Sequence, residues 1–154
     1  MVAVFQSINE RTRVMAKIVV VVRKDLSMTK GKIVAQANHA ITGILLKEMN
    51  GGKSLIESPP KIEGDSYDLT LSVKVGSSLD DWLRGMFKKI TVYCDSEEEL
   101  LEIYESAKQD VSLTSILITD SGLTHFHGEK THTCVGIGFN EESIDKITGH
   151  LKLL

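Results

Sequence analysis

The chain has little cysteine, little proline, few aromatic residues and no surplus of positive charge. Its 154 residues include two cysteines, two prolines, one tryptophan and 5% aromatics, with 18 Lys and Arg against 21 Asp and Glu for a net charge of −3. Each shortage excludes something. Cys94 and Cys134 each lie inside a strand-like apolar run, so they read as reduced core thiols of a reducing compartment rather than as a disulfide framework. No apolar run approaches the roughly 18 to 20 residues that span a bilayer. Residues 1–15 hold a brief apolar patch followed by Arg11 and Arg13, the reverse of the order in a secretory signal. They read as an N-terminal extension, and the expected location is cytoplasmic. The negative net charge excludes a general attraction to polyanions, so any contact with nucleic acid must be local. Two basic groups offer it: Arg23, Lys24, Lys30 and Lys32, and then Arg84, Lys88 and Lys89.

What is present begins with a continuous β-branched run at 17–22, the mark of a buried central strand. It leads through Arg23 and Lys24 to a helix expected over 29–49. On that helix Ile33, Ala37, Ala40, Ile41 and Ile44 fall on one buried stripe, and Lys32, Gln36, His39 and Gly43 on a narrow second stripe beside it. Cations and a glycine where a strand hands over to a helix are placed where backbone N–H groups hold an anion. Asn50, Gly51 and Gly52 then stop the helix with residues that tolerate a left-handed C-cap.

An insertion is expected at about 50–76. Pro59 and Pro60 make its first part loop. Leu69, Leu71, Val73 and Val75 alternate with polar residues and favour an extra strand covering one edge of the sheet. A short helix is expected over 78–86, with Trp82, Leu83 and Met86 turned inward. Strand 90–94 follows, then a capping box of Ser96 and Glu99 opening a helix to about Gln109. Strands at 113–119 and 133–139 and a helix at 141–149 complete the pattern. The connection from 119 to 133 contains no helix, so its two strands are expected to be antiparallel. The fold class is therefore α/β: a three-layer α/β/α arrangement with a small mixed sheet of about four strands and helices on both faces. One domain is expected over 16–154.

Two motifs suggest other chemistry. Gly51-Gly52-Lys53-Ser54 echoes the end of a phosphate-binding loop, but Lys47 occupies the required upstream glycine position and no strand precedes it. His125, His127, His132 and Cys134 are metal-capable ligands within ten residues, and zinc is one reading of them. The other is an exposed polar loop with Cys134 turned to the core.

Lys30-Gly31-Lys32 with Ala35-Gln36 and His39-Ala40 resembles the signature of the type II peptidyl-tRNA hydrolases, a family described in archaea and eukaryotes. Asp120-Ser121-Gly122-Leu123-Thr124 is similar to that family's Asp-Ala-Gly-x-Thr turn. Residues 133–138 resemble its Thr-x-x-Gly-x-Gly strand, and 144–153 its closing helix and ending. The resemblance implies hydrolysis of the ester between a peptide and the terminal ribose of tRNA, with peptidyl-tRNA as partner and no metal or cofactor. A homodimer stays open. It implies catalytic roles for Lys32, Asp120, Thr124 and Thr133, and substrate contacts for Lys30, Gln36, His39 and Gly122.

Acyl transfer to water needs an activated water, a stabilised oxyanion and a protonated leaving oxygen. No Gly-x-Ser-x-Gly elbow occurs, so direct attack by water is the better-supported route. Asp120 is the candidate for polarising that water and Lys32 the cation for the oxyanion or a phosphate. Thr124 and Thr133 would orient the water or ribose, and Gln36 would hold an amide or ribose hydroxyl. Asp120 has a plainer reading as the cap of its own turn, and His39 one as a structural hydrogen-bonder. Ser121 and Leu123 depart from the family pattern, and the loop 126–132 is about one residue long for it, which is expected to displace Thr133 relative to Asp120. The competing class is a non-catalytic tRNA- or protein-binding module on the same fold.

Overall fold

The computed structural model describes residues 15–154, so all of the expected N-terminal extension but Met15 lies outside the described residues. The first strand, β1 (Ala16–Arg23), is apolar without a break from Ile18 to Val22 because it is buried on both sides there. Ile18, Val20 and Val22 face one hydrophobic cluster and Val19 and Val21 face another, as the two-residue period of a strand requires. Each such side chain contributes roughly 1.5–3 kcal/mol by leaving water.

The remaining elements are α1 (Lys30–Met49), α2 (Ser78–Arg84), β2 (Lys89–Cys94), α3 (Glu97–Gln109), β3 (Leu113–Asp120), β4 (Thr131–Asn140), α4 (Glu141–Thr148) and β5 (Lys152–Leu153). The sheet runs β3-β4-β1-β2-β5. β1 is parallel to β2 and antiparallel to β4, and β4 is antiparallel to β3, as expected for a connection without a helix. The carboxyl ends of β1, β2 and β3 and the start of β4 therefore share one edge. Helices α1 and α2 pack on the cluster around Ile18, and α3 and α4 on the cluster around Val19, giving the three layers. Gly43 and Gly136 let α1 lie close to the sheet: an added Cβ would meet Ile116 at 2.4 Å and Ile44 at 2.9 Å respectively.

Caps follow the sequence. Thr29 accepts from the Lys32 N–H and Ser96 from the Glu99 N–H, while Glu99 reaches back to the N–H of Asp95 rather than of Ser96. The Gly52 N–H closes α1 onto the Lys47 carbonyl, with Gly51 and Gly52 both at positive φ.

Three expectations are corrected. The sheet has five strands rather than about four, because two residues of the ending, Lys152 and Leu153, pair with β2. Residues 69–75 form no strand; Leu71 and Val73 instead pack on the cluster shared by α1 and α2, so their alternation records one covered side without a ladder. Helix α2 ends at Gly85, two residues before Phe87 at φ 50, which turns Met86 outward at 90% exposure.

Candidate active site

Asp120 is the last residue of β3, on the same face as Ile116 and Ile118, which pack with α1. Period-two geometry thus aims its carboxylate at the helix. Lys32 and Gln36 lie one turn apart near the start of α1, and both reach it. Lys32 Nζ lies 2.5 Å from Asp120 Oδ2, and Gln36 Nε2 donates to the same oxygen at 2.8 Å. The Gly122 N–H donates to Oδ1 at 2.8 Å, and Lys32 also donates to Thr124 Oγ1 at 3.3 Å. Residues 88 positions apart in sequence thus meet at one point, with Lys32 14% and Asp120 12% exposed at their side chains.

The electrostatics follow from these contacts. The hydrogen bond from Lys32 is the main cause holding the Asp120 carboxyl below the usual carboxylate range; partial burial opposes it, and the Gly122 N–H, the Lys32 charge and Gln36 assist. The group is an anion throughout the neutral range.

Thr133 is placed otherwise than expected. It is fully buried and donates from Oγ1 to Gln36 Oε1 at 2.6 Å. Its hydroxyl does not face an incoming water or ribose; it fixes which end of the Gln36 amide points at Asp120. Gln36 is 2% exposed, its amide divided between Thr133 and Asp120, so neither side chain has a face left for substrate. The pairing explains how Thr133 arrives there. Ile118 pairs with Cys134 but Thr119 pairs with His132, so Thr133 is the extra residue of a β-bulge, a device that re-aims a side chain. With that bulge in place Thr133 is coupled to Asp120 through Gln36.

Gly122 is buried at φ +78, and a Cβ there would lie 2.4 Å from the Glu129 carbonyl oxygen. It shapes the turn and donates to Asp120, with no open side for substrate. Lys30 and His39 are exposed on α1, as are Thr124, Ser121 and Leu123 on the loop after β3. Of the four loop ligands, Cys134 is fully buried with its thiol toward the Gln36 carbonyl and burial pushes its pKa up to about 12. His132 Nδ1 lies 2.9 Å from Thr119 Oγ1. Among the described residues no three His, Cys, Asp or Glu groups gather for a metal.

The two basic groups are largely neutralised within the fold. Arg23 is tied to Asp25 at 2.6 Å and to the His132 carbonyl at 3.1 Å, Arg84 to Asp80 and Lys88 to Glu141. Lys24 lies over Tyr93 and Lys89 over Trp82. Lys30 is the member of the first group left exposed beside the site. Sequence reasoning passed over Phe126, whose ring centroid is 5.7 Å from Lys32 Nζ; its signal is one aromatic among polar loop residues, anchoring that loop to the core.

Comparison with known proteins matches the sequence to a family. The family described as peptidyl-tRNA hydrolase PTH2 matches residues 16–154. The chain is 40% identical over 139 residues to the peptidyl-tRNA hydrolase of Methanocaldococcus jannaschii, covering 90% of this chain and 99% of that one. It is 38% identical over 141 residues to the peptidyl-tRNA hydrolase of Methanopyrus kandleri, covering 91% and 99%. The solved structure of a protein of unknown function from Agrobacterium shares the fold alone, with TM-score 0.50 and 14% identity over 90% of this chain and 97% of that one. Matched across the strand, helix and turn that bring Lys32 to Asp120, the chain belongs to the peptidyl-tRNA hydrolase PTH2 family.

Proposed function

We propose that this chain hydrolyses the ester joining a peptide to the terminal ribose of tRNA, acting in the cytoplasm to recycle tRNA from stalled translation. The observation that carries the reading is the meeting of Lys32 and Asp120 at the carboxyl edge of the sheet, where sites form in such folds. A carboxylate offers about four acceptor positions, and Lys32, Gln36 and Gly122 fill three of them. The remaining one, on Oδ1, takes a proton of the attacking water. An ammonium has three donors, and after Asp120 and Thr124 the third is free for the oxyanion.

Asp120 is too weak a base to deprotonate water beforehand. It orients the water, takes the proton as the carbon–oxygen bond forms, and passes it to the departing ribose oxygen. Its depressed pKa makes that return easy. Thr133 and Gln36 are positioning residues that hold Asp120 in place, and Thr124 steadies Lys32. Lys30 and His39, exposed on α1, face the acceptor end. All of these groups come from one chain, so the site is complete in a monomer or a homodimer.

The test is release of an N-acetylated aminoacyl group from tRNA, with free aminoacyl-tRNA as the control. The wild-type chain is expected to release the blocked residue; a protein that binds tRNA and releases nothing is a binding module instead. The acid limb of kcat/KM is expected below the ordinary carboxylate range of about 3.9, because the ionised form is the active one and its pKa is lowered. Gln36→Leu removes one of the stabilising donors and should move that limb upward in a pH–rate profile. The stabilisation from the ion pair has the same sign: present above the ordinary carboxylate range, it fades as pH falls through the depressed value.

Salt supplies another check. If Lys30 meets the tRNA backbone, Lys30→Ala should make the slope of log affinity against log salt shallower by about 0.7 to 0.9. An unchanged slope in a filter-binding titration would place the RNA path elsewhere.

A further inference from the structure

Beside the catalytic pair, one side chain away, the carboxyl edge of the sheet carries an open cleft. It runs from Arg23 at the end of β1 and Asp25 just beyond it, past Glu97 at the start of α3, to Phe126, Glu129 and Lys130 of the loop between β3 and β4. Phe126 belongs to both places: it lines the cleft, and the Lys32 ammonium lies 5.7 Å from its ring centroid. A group seated in the cleft is therefore covalently within reach of an ester held at Lys32.

The charges say what kind of group fits. Three carboxylates, Asp25, Glu97 and Glu129, stand against two cations, Arg23 and Lys130, and the Arg23 guanidinium is spent on Asp25 and the His132 carbonyl. A phosphate subsite needs a surplus of donors and positive charge, which this cleft lacks. It offers instead an aromatic wall with hydrogen-bond acceptors at its margin, the chemistry that recognises an unstacked nucleobase carrying an exocyclic amine. Glu129 is exposed and has no ion-pair partner among the described residues, so its carboxylate is available.

We infer that this cleft holds the terminal adenine of the substrate, stacked on Phe126 with its exocyclic amine donating to Glu129. The inference rests on the reading of the neighbouring pair as a peptidyl-tRNA hydrolase site, and it supplies what that pair lacks, a grip on the nucleoside that bears the ester. The Lys32–Asp120 pair sets the chemistry, and the cleft sets the register of the acceptor end.

The experiment is steady-state hydrolysis of N-acetyl-aminoacyl-tRNA by the full chain, with substrates ending in adenosine or in inosine, which replaces the amine by a carbonyl. Stacking on an aromatic side chain corresponds to about 5- to 150-fold in affinity. Phe126→Ala should raise KM on that scale, with the loss in KM rather than kcat, and Phe126→Trp should restore it. Inosine should raise the wild-type KM by at least about tenfold, as expected for losing a hydrogen bond to a charged group, and by less in Glu129→Gln. That last comparison alters only an exposed loop residue and the substrate, so it reads out even if Phe126→Ala folds poorly. A KM indifferent to the terminal base, or one that follows the identity of the acyl group instead, overturns the inference while hydrolysis itself still supports the site. Absence of hydrolysis by the wild-type chain overturns both together.

Discussion

Asp120→Asn should lower kcat on an N-blocked aminoacyl-tRNA by about 10²- to 10⁴-fold, the range for losing a general acid–base group. The amide keeps the shape of the side chain and leaves the Gly122 turn able to form, but it cannot take a proton from water as the tetrahedral centre develops. Lys32→Ala should cost about 10²- to 10³-fold, the range for one oxyanion donor. Because the two groups are bonded to each other at 2.5 Å, their effects should not add. With Lys32 gone Asp120 loses the main cause of its depressed pKa and its fixed orientation, so the double variant should be little worse than the poorer single one. Single-turnover rates at saturating enzyme separate this from weakened binding. Three variants as fast as wild type would remove both residues from the mechanism; strictly multiplicative losses would mean that they act independently, against the geometry.

The Lys32–Asp120 meeting was legible in sequence only through the resemblance. Periodicity put Lys32 and Gln36 on one stripe of α1 and alternation ended β3 at Asp120, yet neither pattern carries information about which strand lies under which helix. That is fixed by the sheet order, where β4 enters between β3 and β1, a long-range pairing with no local signal. The layers were legible because β1 is apolar on both faces and α1 on one. The segment 69–75 misled for the same reason that β1 did not. Alternation reports that one side is covered, and Leu71 and Val73 are half-buried by packing on the cluster that α1 and α2 share, with no ladder needed.

The placement of Thr133 is a subtler case. Its residue type and its neighbourhood in β4 were legible, but its direction depends on a one-residue shift in pairing between Ile118 and Thr119. Without the bulge Thr133 would follow the alternation of Val135 and Ile137, which face the α3 and α4 side, and Gln36 would lose its partner. Basic residues misled through a different route. Charge counted along the chain made two cationic groups, whereas the fold delivers Asp25, Asp80 and Glu141 to three of those cations. Sequence distance says nothing of such neutralisation when the partner is 53 residues away, as Glu141 is from Lys88.

Gly122→Ala should abolish most activity while sparing the fold, for a reason visible in backbone geometry. At φ +78 an alanine is strained by itself, costing roughly 1–2 kcal/mol, and its methyl would meet three Glu129 backbone atoms at 2.4 to 2.9 Å. Backbone does not move aside as a flexible side chain does. The loop must shift, and with it the Gly122 N–H that donates to Asp120 Oδ1 and the Gly122 carbonyl that accepts from the Gly128 N–H at 2.9 Å. Thr124 and Phe126 move with the same loop, so the carboxylate loses its orientation and Lys32 its second partner. A displacement of about 1 Å at a catalytic group is worth on the order of 10²-fold in rate, and kcat should fall at least that far. Both hydrophobic clusters are built without this loop except for Phe126 at the margin of one, so far-ultraviolet circular dichroism should stay native. Full activity in a natively folded Gly122→Ala protein would mean that the turn bends freely and that Asp120 is not held by it, which would leave Lys32 and Gln36 as its anchors.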